Sequence, residues 1–152
     1  MAKNLRILLA QGCGTCRLLV EKQLRLWALP FDSVANGEDA LEHSLNHQYD
    51  LVLMDIQMPH MDGIEVTEQI RDFEKRNSFY HVPIIALTAN ALIDTVDRCK
   101  RAGMIDVIVK PYNAHDLRMM IYYYLGNVWK LRLLSESKRY ESNTILQNSA
   151  LT

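Results

Sequence analysis

Short apolar runs alternate with longer amphipathic stretches five times along this chain, which predicts a parallel sheet covered by helices on both faces. Strands are expected at Ile7 to Ala10, Phe31 to Ala35, Leu51 to Met54, Pro83 to Leu87 and Asp106 to Val109. Between them, apolar residues recur at helical spacing: Leu19, Val20, Leu24 and Trp27, then Val66, Ile70 and Phe73, then Leu92, Val96 and Cys99. Each stripe reads as a face turned to the core. Asn36-Gly37 turns the chain before a helix from about Glu38, Asp62-Gly63 precedes the third helix, and Gly103 stands where a helix stops. Asn113 followed by Asp116 has the form of an N-cap with an acid in the first turn, opening a last helix through Leu125.

With 152 residues, 49% of them hydrophobic, the chain can bury one sizeable core and is too short for two ordinary domains. The domain is expected over residues 1–127. Residues 128–152 read as a helical extension, Val128 to Leu134, and a polar tail without periodicity. A net charge of -1 with scattered basic residues gives no field to gather nucleic acid. Three cysteines make no disulfide framework, so a reducing cytoplasm is the expected setting. No apolar run approaches the roughly 18 residues needed to span a bilayer, and no export signal is visible.

In an open parallel sheet, reactive groups gather at the carboxyl ends of the strands. Those ends here carry Gln11 and Gly12, Asp55, Thr88, and Lys110-Pro111. A carboxylate, a hydroxyl and an ammonium on neighbouring strand ends suit a phosphoryl-accepting site. Asp55 is the nucleophile, Lys110 neutralises charge on the transferring group, and Thr88 donates a hydrogen bond to a phosphoryl oxygen. Taken singly, each residue has a plainer reading as an ion pair, loop cap or strand end.

The run from Asp50 to Pro59, with Met61-Asp62-Gly63, resembles the acceptor strand and loop of response-regulator receivers. Ala86 to Ala91, Cys99, Ala102 to Met104 and Lys110-Pro111 resemble the receivers of hybrid histidine kinases in particular. The resemblance spans about Arg6 to Leu125. It implies a doubly wound, flavodoxin-like α/β fold with a five-stranded parallel sheet of order 2-1-3-4-5. It further implies phosphoryl transfer to Asp55 from a phosphohistidine, on a histidine kinase or a histidine phosphotransfer protein, and a cis bond between Lys110 and Pro111.

The family pattern breaks in two places. Receivers usually carry two adjacent acids after the first strand that help hold magnesium, and Gln11 and Gly12 stand there. Magnesium wants hard oxygen ligands, and only Asp55 remains as a charged one, helped by the backbone carbonyl of Gln57 and the Gln11 amide oxygen. Magnesium binding is therefore expected to be weak or absent. Two missing carboxylates also relieve repulsion of about 4 kcal/mol per pair at about 4 Å, for an effective dielectric near 20. The second break is Val107, where the family places an aromatic switch residue; valine is small and stiff at χ1, and Tyr112 does not obviously replace it.

Gly12-Cys13-Gly14-Thr15-Cys16 forms a competing constellation. A Cys-x-x-Cys ahead of a helix resembles the placement of a dithiol redox motif, and a helix amino terminus lowers a thiol's pKa. Loop and core packing is the default for both cysteines. No arginine lies where a tyrosine-phosphatase loop needs one, and Gln57 stands where a haloacid-dehalogenase-type phosphatase needs a second aspartate. Met119 to Tyr124 is a nearly unbroken apolar and aromatic run. Since a helix buries one stripe, at least one of its tyrosines must face outward, as amphipathic flank or as a contact surface for a partner or second copy.

The function expected is a phosphorelay receiver acting by protein contact, not an enzyme. The alternative is a pseudo-receiver that is not phosphorylated and serves as a scaffold.

Overall fold

The computed structural model describes residues 5–127, so the extension and tail expected over 128–152 lie outside the described residues. The five strands are β1 (Ile7–Ala10), β2 (Phe31–Val34), β3 (Leu51–Asp55), β4 (Ile84–Thr88) and β5 (Asp106–Val109). They form one parallel sheet of order β2-β1-β3-β4-β5, the expected doubly wound arrangement. Helices α1 (Gly14–Leu26), α2 (Gly37–Asn46), α3 (Gly63–Asn77) and α4 (Ile93–Ala102) connect them, and α5 runs over 114–127 among the described residues.

Alternation along each strand sends side chains to two cores. Leu8, Ala10, Val52, Met54, Ile84 and Ala86 pack with Ala40, Val66, Ile70 and Cys99 of α2, α3 and α4. Ile7, Leu9, Leu53, Ile85, Leu87 and Ile108 pack with Val20 and Leu24 of α1 and with Leu117, Ile121 and Leu125 of α5. Because helices cover both faces, β1, β3 and β4 are buried at every position. That is why their sequences are continuous apolar runs.

The helix starts are fixed locally. The side chains of Asn36, Asp62 and Asn113 each accept the N–H three residues on, at 2.8 Å, which satisfies an otherwise orphaned donor. Gly103 ends α4 with φ 108°, in the left-handed region that a side chain strains. Pro83 has no N–H to give the sheet, so β4 begins one residue after it, although the Pro83 carbonyl accepts Val52 N–H at 2.9 Å.

Two of the expected core faces need correction. Leu19 is 60% exposed, because the buried stripe of α1 runs through Val20 and Leu24 and Leu19 lies beside it. Leu92 is 66% exposed, because it is the N-cap of α4, with extended backbone, and stands ahead of the helical stripe. A charged residue takes a core place instead: Glu74, 5% exposed, pairs with Arg71 and accepts Val82 N–H at 2.8 Å. Its two partners replace the hydration it loses.

Candidate functional site

Parallel pairing aligns the ends of β3, β4 and β5 in successive steps. Asp55 lies opposite Leu87, Thr88 lies opposite Val109, and Lys110 N–H donates to the Thr88 carbonyl at 2.7 Å. The carboxylate and ammonium meet: Lys110 Nζ is 3.3 Å from Asp55 Oδ2. Asp55 Oδ1 accepts the backbone N–H of Gln57 at 3.1 Å. The Asp55 side chain is 5% exposed and that of Lys110 22%, so the pair sits in a pocket open on the amine side. The Lys110–Pro111 peptide bond is cis, as the family resemblance implied.

Gly63 sets the depth of this pocket. A Cβ there would lie 2.2 Å from the carbonyl oxygen of Asp55, so only glycine lets the first turn of α3 press against the end of β3. Gly63 N–H in turn donates to the Ile56 carbonyl at 2.9 Å.

Thr88 is buried at the neighbouring strand end, but its hydroxyl turns to its own loop. It accepts Asn90 N–H at 3.0 Å and approaches the Asn90 carbonyl at 3.3 Å. The structure therefore joins Asp55 directly to Lys110, with Thr88 held back by Asn90. Asn90 was missed in the sequence; the signal for it was a strand-ending threonine two residues ahead of a turn former, the spacing of a local side-chain-to-backbone turn.

The positions that break the family pattern line the same edge. Gln11 is fully buried, and neither polar atom of its amide finds a hydrogen-bond partner among the described residues. The Tyr112 hydroxyl is near enough to feel the amide without completing a hydrogen bond; burial pushes that phenol up and Gln11 draws it partly back. Gly12 lies against the Gln57 carbonyl, and a Cβ on it would stand 3.3 Å from that oxygen. The donors available to a cation are thus one carboxylate, already engaged by Lys110, and neutral amide and carbonyl oxygens. Among the described residues, no three His, Cys, Asp or Glu side chains gather as a metal-binding group. This set fits poorly to magnesium, which relies on carboxylates to offset its dehydration.

Cys13 is the N-cap of α1, and its sulfur accepts Cys16 N–H at 3.4 Å. A hydrogen bond from the Cys16 thiol, with backbone donors behind it, holds the Cys13 thiol below its ordinary pKa; the same contact pushes Cys16 up.

On α5, Ile121 is buried, Tyr124 donates to Asp106 at 2.7 Å, and Met119 and Tyr123 are 57% and 64% exposed. The outward tyrosine is therefore chiefly Tyr123. Ile93, Ile105 and Val109 are exposed as well.

A five-stranded parallel sheet of order 2-1-3-4-5 with helices on both faces is the flavodoxin-like, doubly wound class of α/β fold. The profile of the response regulator receiver domain matches residues 7–122, and the chain belongs to that family. Hybrid signal transduction histidine kinase L of Dictyostelium discoideum is 39% identical over 112 residues, covering 72% of this chain and 7% of the kinase. The chain thus spans a small part of that relative. The receiver domain of a sensor histidine kinase from Pseudomonas aeruginosa PAO1, solved with a magnesium ion coordinated in its active-site cleft, is 34% identical. It superposes with a TM-score of 0.73, covering 82% of this chain and 99% of that one. The Saccharomyces cerevisiae co-crystal of the histidine phosphotransfer protein Ypd1 with the receiver of its response regulator Ssk1 gives a TM-score of 0.75 at 29% identity, over 80% of this chain and 88% of that one.

Proposed function

We propose that this receiver accepts a phosphoryl group on Asp55 from a phosphohistidine and signals by protein contact, with magnesium held weakly because Gln11 and Gly12 replace the acidic pair. One observation carries the reading: the 3.3 Å approach of Lys110 to the buried carboxylate of Asp55. An Asp55 oxygen attacks phosphorus, the phosphorus–nitrogen bond of the donor breaks, and a mixed anhydride remains on Asp55. Lys110 then turns its charge to the new phosphoryl oxygens, and Thr88 donates to one of them after leaving Asn90.

The donor is a histidine kinase or a histidine phosphotransfer protein, the kind of partner carried by the yeast co-crystal. The face of α4, β5 and α5, with Ile93, Val109, Met119 and Tyr123 outward, is the proposed contact surface for a target or a second copy. Concentration-dependent mass by light scattering distinguishes these, since a strict monomer at high concentration removes the homodimer. Val107 is half-buried against the α2–α4 core, and a small β-branched side chain there supports weakened coupling from Thr88 to this face. The chain turns over no substrate, binds no nucleic acid or membrane, and works in the cytoplasm. The charge of -1 and the free thiols support that setting, and no described helix is long and apolar enough to cross a membrane.

The second reading is a pseudo-receiver, favoured by Gln11 and Gly12 in place of the acidic pair, with the Gln11 amide finding no hydrogen-bond partner among the described residues. Incubation with a small phosphodonor and magnesium, read by intact mass, decides between them. Slow, partial addition that is lost in Asp55→Asn is the expected result. Ready stoichiometric addition lost in Asp55→Asn overturns the weakened site, and no addition even from a phosphorylated phosphotransfer protein leaves the scaffold reading standing.

A further inference from the structure

Cys13 and Cys16 have no part in the phosphoacceptor chemistry, and neither belongs to the apolar cores. Helix N-caps are usually Ser, Thr, Asp or Asn, whose oxygens accept strongly. Sulfur is a weak acceptor, so the 3.4 Å contact of Cys13 with Cys16 N–H gives α1 little that a serine would not give better. What the two residues do share is reach. They stand three apart on one face of the first turn, the spacing at which side chains meet, and the Cys13 sulfur already lies 3.4 Å from the Cys16 backbone nitrogen. Cys13 is exposed and Cys16 half-buried, whereas Cys99 is buried in the core. The backbone between the pair is unencumbered: a Cβ on Gly14 would meet only the Arg17 guanidinium, at 4.0 Å. Cys13 itself has extended backbone and joins the helical ladder only through its carbonyl, which accepts Arg17 N–H at 2.8 Å, so its side chain can adjust toward disulfide geometry without breaking α1.

We propose that Cys13 and Cys16 form a reversible dithiol–disulfide couple whose oxidant is a small-molecule disulfide of the glutathione type. The exposed Cys13, as thiolate, attacks one sulfur of the oxidant; that S–S bond breaks, and the first small thiolate leaves and takes up a proton. Cys16 then loses its proton and attacks the Cys13 sulfur, expelling the second small thiol. Two electrons pass from the cysteines to the oxidant, one S–S bond replaces another, and two small thiols are released. The new bond pins the first turn of α1 directly after Gln11 and Gly12, beside the pocket of Asp55 and Lys110.

The test equilibrates the full chain in mixtures of reduced and oxidised glutathione, quenches with acid, alkylates free thiols and reads intact mass. Two of the three thiols should disappear together, with no glutathione attached, no covalent dimer, and full recovery in excess reduced glutathione. Cys16→Ser should instead trap one glutathione on Cys13, and Cys99→Ser should leave the transition unchanged. Three alkylatable thiols in the most oxidising mixture, a disulfide involving Cys99, or cross-linked chains would each overturn the couple. The redox titration uses no phosphodonor and the phosphorylation experiment no oxidant, so the failure of either leaves the other standing.

Discussion

The Lys110 ammonium stands 3.3 Å from the Asp55 carboxylate although Asp55 ends β3, Lys110 follows β5, and β4 lies between those strands. Burial makes this contact matter, because a carboxylate 5% exposed has little water to replace a lost partner.

Lys110→Met should therefore destabilise the fold by about 1–3 kcal/mol, below the about 3–5 kcal/mol of a fully buried pair because the lysine keeps some solvent contact. Urea denaturation measures it. Adding Asp55→Asn to Lys110→Met should recover most of the loss, and additive destabilisation in that double variant would show that the pair is not coupled.

Gln11→Glu should raise magnesium affinity by about tenfold, equivalent to about 1.4 kcal/mol, by adding a second hard, charged ligand beside Asp55. In metal-free buffer the same variant should be less stable than the parent, since two carboxylates then share the pocket. Amide chemical shifts around Asp55 during magnesium titration report the first effect and thermal denaturation the second.

Gly63→Ala places a methyl group 2.2 Å from the Asp55 carbonyl, a distance that forces α3 away from the strand end. A cost of about 1–3 kcal/mol is expected from overpacking. Phosphorylation from the small phosphodonor should fall with it, because the displaced helix shifts Asp55; an unchanged rate in a destabilised variant would separate Gly63 from the site.

Acid sensitivity should reside partly in Asp32, on β2 at the sheet edge. Burial pushes its carboxyl up, but hydrogen bonds from Arg6 at 2.7 Å and Tyr49 at 2.6 Å outweigh this and hold it below the ordinary value of 3.8. A carboxyl lowered in the folded state contributes stability that is present above its unfolded pKa and is lost as pH falls through the folded one. The contribution is therefore complete at neutral pH, begins to fall as pH approaches the ordinary value of 3.8, and is gone only below the lower folded value. Asp32→Asn should be less stable than the parent at neutral pH and lose less on acidification, as read by urea midpoints across the acid range.

Much of the fold was legible in the sequence because its determinants are local. Continuous apolar runs marked strands buried on both faces, and Asn36, Asp62, Asn113 and Gly103 marked helix ends through bonds or dihedrals confined to a few residues. The strand order came from the family resemblance, since periodicity within a strand does not say which strand lies beside it. Leu19 and Leu92 had the right spacing and the wrong environment, because a stripe's limits depend on where neighbouring elements stop covering it.

At the site, sequence alone determined which chemical groups stand at the strand ends: the acid Asp55, the hydroxyl of Thr88, the amine of Lys110, and an amide and a glycine in place of acids. Tertiary structure decided how they meet. It paired Asp55 with Lys110, turned Thr88 to Asn90, and buried the Gln11 amide with no hydrogen-bond partner among the described residues. Strand ends are placed by backbone pairing over the whole sheet, whereas side-chain partners are chosen by rotamer, distance and competition within a few ångströms, which only the assembled pocket defines.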